Sequence, residues 1–246
     1  MLTPRIFIGA NDPLSPGADC VLAHDAARHV AQSLRMRVGE RLALFTGEGG
    51  EYAATIVRID RKDVVVRVDR HAGVERELAR PVTLVQATIA ADLMDLVVRK
   101  AVELGVAAIV PVESARSQRI PTERAARRVE HWRVIAIAAC EQCGRNRVPD
   151  VHAITTFDAW LHSGAPQLTP WALLDGSGPR SLLDEVNAQM PRAVAIGPEG
   201  GFTPDEREQA LASGAVAAHL GARVLRAETA ALAALAIVGT TLGSEQ

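Results

Sequence analysis

A small β-rich barrel followed by an open, mostly parallel α/β sheet is the fold class this sequence predicts, and three observations predict it. Short apolar strand segments separated by glycine turns fill residues 1–72. Beyond Pro81, apolar strands alternate with amphipathic helices, the pattern of a parallel sheet. The 246-residue chain is 48% apolar and 23% charged, enough to build a sizeable core and unlike a disordered or coiled-coil protein.

In the first segment the strands read as Arg5 to Ile8, Arg41 to Phe45, Tyr52 to Arg58 and Asp63 to Val68, with Gly47, Gly49 and Gly50 as turn signals. His24 to Arg35 reads as one helix, with Ala27, Val30, Ala31 and Leu34 at helical spacing. Closing these few strands into a barrel removes exposed edges. The charged stretch His71 to Arg80 ends at Pro81 and reads as a linker, which sets the division at 1–72 and 73–246.

In the second segment Val82 to Thr88 and the AAIVPV run read as buried strands, flanking a helix that ends at Gly105. Thr122 to Cys143 reads as a long helix, and WALLD, AVAIG and AAHLG as three further strands. Loops beyond the carboxyl ends of such strands are where ligands bind.

Aromatic residues are only 3% of the chain, which disfavours an aromatic platform for stacked bases. Net charge is −2, against a strong non-specific polyanion binder. Between Glu113 and Arg147, however, eight arginines face four acids. This patch reads as a solvated helix face or as a surface for an anionic macromolecule. Three cysteines do not make a disulfide framework, and the start of the chain lacks a secretory pattern, so a soluble cytoplasmic protein is expected.

Three motifs carry the chemistry. AVAIGPEGGFTPDE (193–206) is a strand, a glycine loop and a helix start, with Thr203 as N-cap, Pro204 at the first helical position and Glu206 completing a capping box. Its glycines admit a ligand to the backbone, and Glu199 suits a nucleoside or cationic ligand better than a polyphosphate; a tight strand-to-helix turn reads equally well. LGARVLRAETAALAALAIV (220–238) places Arg226, Glu228 and Thr229 beside a helix start. IAACEQCGRNRVPDV (137–151) crowds Gln142, Arg145, Asn146 and Arg147 into one turn, a set suited to a base edge or phosphate. Cys140 and Cys143 end a helix rather than opening one and lack two further ligands, so they read as structural thiols, with no metal expected. No serine-hydrolase elbow or zinc-hydrolase histidine pair occurs.

In this order, LRMRVGE (34–40), RKAVELGV (99–106), IAIAACEQCGRNRVP (135–149), IGPEGGF (196–202) and LGARVLRAETA (220–230) resemble the RsmE family of 16S ribosomal RNA (uracil-N3)-methyltransferases of the SPOUT superfamily. The resemblance spans both segments. It implies an N-terminal PUA-like barrel for RNA docking, a C-terminal α/β domain with a deep trefoil knot, S-adenosyl-L-methionine as cofactor, and a homodimer acting on 16S rRNA of the small subunit. By matching positions, Gly197, Glu199, Gly200, Gly201, Leu220, Gly221, Val224 and Leu225 are expected to line the cofactor pocket. Arg226 and Asn146, with Arg147, are expected to hold the uracil, and Glu141 to act as general base. Arg116, Arg119, Arg124, Arg128, Arg145 and Arg147 are expected at the RNA. The chain departs from the family in the loop Ile89 to Asp95, which lacks basic residues, and at Asp175 and Gly176, whose role stays open. A non-catalytic RNA-binding protein and a related enzyme acting on another RNA are the rival readings.

Overall fold

The computed structural model describes residues 3–9, 14–61 and 63–242, the Leu242 side chain excepted. The chain forms two compact units, Met1–Glu77 with Cys140–Val148, and Leu78–Ala139 with Pro149–Gln246. The sequence reading divides the chain once, at 72/73, and contains no sign of the nine-residue return to the first unit.

The first unit is a five-stranded sheet ordered β1 (Arg5–Phe7), β3 (Arg41–Phe45), β4 (Glu51–Ile59), β5 (Val64–Ala72) and β2 (Asp19–Val21). Only β1 and β3 pair in parallel. Alternation buries Leu42 and Leu44 on β3, Ala54 and Ile56 on β4, and Val64, Val66 and Val68 on β5. The expected helix from His24 is shorter. Helix α1 (His24–Arg28) passes into a π-helical turn (His29–Ser33), which ends where Leu34 N–H donates to His29 O and Arg35 takes φ 53°. Its Ala27 and Val30 fill the same core.

The second unit is an eight-stranded, all-parallel sheet. Its strands are β6 (Thr83–Ala87), β7 (Ala108–Glu113), β8 (Asp150–Val151), β9 (Thr155–Thr156), β10 (Trp171–Leu174), β11 (Arg180–Ser181), β12 (Ala193–Ile196) and β13 (Ala215–His219). Their order is β11-β13-β10-β12-β6-β7-β8, with β9 paired to β7 beyond β8. The helices are α2 (Ala91–Glu103), α3 (Thr122–Cys143, whose last four residues belong to the first unit), α4 (Phe157–Ser163), α5 (Leu182–Ala188), α6 (Pro204–Ala212) and α7 (Ala227–Leu242). With few aromatics, the core relies on close-set Val, Ala and Leu, and its bulk comes from one aromatic cluster and the separate, fully buried Trp132. Trp160 meets Trp171 edge-on at 4.9 Å between ring centroids, and Phe157 stacks on Phe202 at 4.5 Å. Among the described residues no helix is long and apolar enough to cross a membrane.

Candidate functional site

Strands β10, β12 and β13 are neighbours in the sheet, so their carboxyl ends deliver three loops to one place. The loops are 174–176, 196–201 and 218–225, and with Ala227 and Ala230 of α7 they enclose a cavity of about 400 Å³. That is the size range of a small-molecule site. All eight residues expected at the cofactor line it. Leu174, Asp175, Gly176, Ile196 and His219 line it as well, and these the sequence reading did not assign.

Two glycines shape the wall. Gly201 at φ +65° and Gly221 at φ +100° hold left-handed backbone, and a Cβ on either would meet nothing within 4 Å. The missing side chains therefore leave room for a ligand rather than for packing. The 196–201 loop is anchored at its far end by Phe202 in the aromatic cluster. Helix α6 opens with the expected capping box: Thr203 Oγ1 accepts from Glu206 N–H at 3.2 Å, and Glu206 Oε2 accepts from Thr203 N–H at 2.8 Å. Glu206 Oε1 also accepts from Ala115 N–H at 2.7 Å, and Arg116 Nη1 donates to Gly200 O at 2.7 Å.

Asp175 turns its carboxylate to Ser177 N–H and Oγ, each at 2.9 Å, and pairs with Arg207 of α6. Burial pushes this carboxyl up, but the Ser177 amide, the Arg207 guanidinium and the Ser177 hydroxyl together hold it below its ordinary value. On the α7 side Glu228 is only 9% exposed, and its Oε2 has no hydrogen-bond partner among the described residues. A buried carboxylate oxygen without a donor invites a cation. Arg226 is exposed immediately before α7, and Arg119 and Arg124 are exposed with Arg128 half-buried.

The 140–148 segment is placed differently from the expectation. Asn146 is fully buried in the first unit, where its Oδ1 accepts from Arg5 and its Nδ2 donates to Val74 O at 2.6 Å. Arg145 is 3% exposed and forks onto both oxygens of Glu77. Glu141 Oε1 accepts from Phe7 N–H at 3.0 Å. Arg147 is exposed but lies 3.5 Å from Glu75, and its backbone bridges to Gly47 and Glu48. Arg145 and Asn146 are thus committed inside the first unit, and Glu141 is tied there through its Oε1. Burial also pushes the Cys140 thiol up to about 12, which makes it unreactive. No group of three or more metal-ligating side chains occurs among the described residues.

Residues 76–239 match the family of RNA methyltransferase domains and residues 22–69 the RNA methyltransferase PUA domain, so the fold and cavity are those of an RNA methyltransferase. Ribosomal RNA small subunit methyltransferase E of Mycobacterium bovis is 31% identical over 91% of this chain and 87% of its own. The crystal structure of the Neisseria gonorrhoeae protein of that name, bound to S-adenosyl methionine, is 34% identical with a TM-score of 0.89 over 98% of both chains. A Legionella pneumophila structure with bound SAM is 35% identical with a TM-score of 0.91, again over 98% of both. The chain belongs to the ribosomal RNA small subunit methyltransferase E family.

Proposed function

We propose that the protein methylates N3 of a uridine in the 16S rRNA of the small ribosomal subunit, with S-adenosyl-L-methionine as donor. The observation that carries this reading is the convergence of the 196–201 and 218–225 loops on one cavity of about 400 Å³. The cavity suits the donor on its own terms: its size is that of a small-molecule site, and two glycines leave backbone open to the ligand. Gly197, Gly200, Gly201, Leu220, Gly221, Val224 and Leu225 would hold it largely through backbone, with Glu199 at the rim.

When bound, S-adenosylmethionine supplies an electrophilic methyl on a sulfonium. The chain's own task would be to orient the uracil and to stabilise negative charge on its imide oxygens when N3 releases its proton to solvent. Arg226, exposed beside α7, is assigned to that charge. In this reading Glu141 is not the proton acceptor, because the Phe7 amide holds it, and Asn146 and Arg145 keep the first unit intact instead. Arg116, Arg119, Arg124 and Arg128 take backbone phosphates, and the PUA-like unit, read as a closed barrel, docks RNA. The reading includes a trefoil knot in the second unit, which the family resemblance implies. Action as a homodimer in the cytoplasm completes the reading.

The test is methyl transfer from labelled S-adenosylmethionine to small subunits lacking the modification, with nucleoside mass spectrometry of the 16S rRNA. The expected product is 3-methyluridine; another methylated nucleoside, or none, would overturn the reading.

A further inference from the structure

Among the exposed arginines expected at the RNA, Arg116 stands apart, because its side chain reaches the 196–201 cavity loop. Its Nη1 donates to Gly200 O at 2.7 Å, and a Cβ on Gly200 would come within 3.2 Å of Arg116 Cδ. The methylene stem of Arg116 therefore runs over the loop, and its guanidinium holds the Gly200 carbonyl. One turn further along, Glu206 joins the same two segments: its Oε1 takes the Ala115 amide at 2.7 Å while its Oε2 takes the Thr203 amide at 2.8 Å.

The segment carrying Arg116 is itself fixed. Ser117 Oγ accepts from Ser114 N–H at 2.7 Å, Glu113 Oε1 accepts from Ile120 N–H at 2.8 Å, and Thr88 Oγ1 donates to Gln118 O at 2.6 Å. Movement of Arg116 is thus resisted by its own loop and passed to Gly200. A guanidinium has five N–H donors, and the Gly200 carbonyl takes one. Arg116 is solvent-exposed, so its other donors are open to an anion.

We propose that Arg116 is a positioning residue that couples the two ligands of this protein: one guanidinium holds an RNA phosphate and the Gly200 carbonyl together, so that bound RNA stiffens the cofactor loop and tightens the cofactor. The inference rests on the reading of the cavity as the S-adenosylmethionine site. Coupling of this kind is reciprocal, so the cofactor tightens RNA by the same factor. The planar fork is needed, because a lysine ammonium keeps the charge but cannot span two acceptors in fixed geometry.

The experiment uses the full chain and S-adenosylhomocysteine, which allows no turnover. Its affinity is measured by equilibrium dialysis with and without small subunits lacking the modification, for wild type and Arg116→Lys. Wild type is expected to bind about five- to tenfold more tightly with subunits present. Arg116→Lys is expected to bind it alone within about threefold of wild type, to keep salt-sensitive binding to subunits, and to lose the tightening. A wild type that binds equally with and without subunits would overturn the coupling while leaving the cavity reading intact. So would an Arg116→Lys variant that keeps the tightening. Failure of wild type to bind S-adenosylhomocysteine at all would overturn the cavity reading, and the coupling with it.

Discussion

Arginines 116–128 and arginines 145 and 147 sit in the same charge-rich stretch of sequence, yet they have opposite fates. The first set stands mostly in solvent, with one guanidinium resting on Gly200. Of the second, Arg145 is buried on Glu77, and Arg147 lies beside Glu75. The acids that capture the second set, with Glu51 beside them on Arg5 and Arg76, lie 68 residues from Arg145 and 72 from Arg147 in sequence. Burial pushes the Glu51 carboxyl up, but Arg5 and Arg76 outweigh it and hold the carboxyl below its ordinary value. Whether an arginine is free for an RNA phosphate is thus decided by which carboxylates the fold brings to it, which local charge counting does not reveal.

The sharpest way to break this contrast is to remove one member of each set. Arg145→Ala should destabilise the protein by about 3–5 kcal/mol, since it strands Glu77 beside a buried site. Arg124→Ala should cost less than about 0.5 kcal/mol. Urea unfolding followed by circular dichroism reads both, and equal costs would remove the distinction. Next in size is Arg226→Ala, expected to lower turnover by about a hundredfold with cofactor affinity kept within twofold. An unchanged rate in single-turnover methyl transfer would end its assigned role.

Gly201→Val sharpens the cavity side of the comparison. Its left-handed backbone penalises any branched side chain, and the new methyls would enter open space in the cavity, so cofactor affinity should fall about tenfold or more. Calorimetric titration showing wild-type affinity would mean that the open space is not used. The smallest effect concerns pH. The Asp175 carboxyl is depressed in the folded state, so its stabilisation is complete above the ordinary value of 3.8 and is lost as pH falls through the lower folded value. The stability gap between wild type and Asp175→Asn should therefore be present at neutral pH and close in acid; a gap that grows on acidification would contradict the Arg207 pairing.

Much of the second unit could be read directly. Apolar runs gave β6, β7, β10, β12 and β13 within a residue or two, and the Thr203, Pro204 and Glu206 signal gave the start of α6. The cofactor residues were legible because they cluster in two glycine-bearing loops. Asp175, Gly176 and His219 were not: the first two stood out only as departures from the family pattern, and all three reach the cavity because β10 and β13 lie side by side. The small elements β2, β8, β9 and β11 are two or three residues long and leave no periodicity to read. The CEQCGRNRVP segment was legible as a polar turn, but not the packing of its members. Its amides and guanidiniums look like a recognition loop, and their partners, Arg5, Val74 and Glu77, become visible only in three dimensions.

The return of Cys140–Val148 to the first unit has a consequence for how the chain is made. A protein leaves the ribosome from its N-terminus, and domains ordinarily fold in that order as they emerge. Here the first 77 residues emerge with Arg5, Phe7 and Glu77 still waiting for Asn146, Glu141 and Arg145, as many as 141 positions later. The strands that complete the second sheet's central cavity, β12 and β13, are translated only after that segment. The N-terminal unit therefore cannot finish during its own synthesis, and its last contacts are set by the arrival of a segment from the middle of the chain.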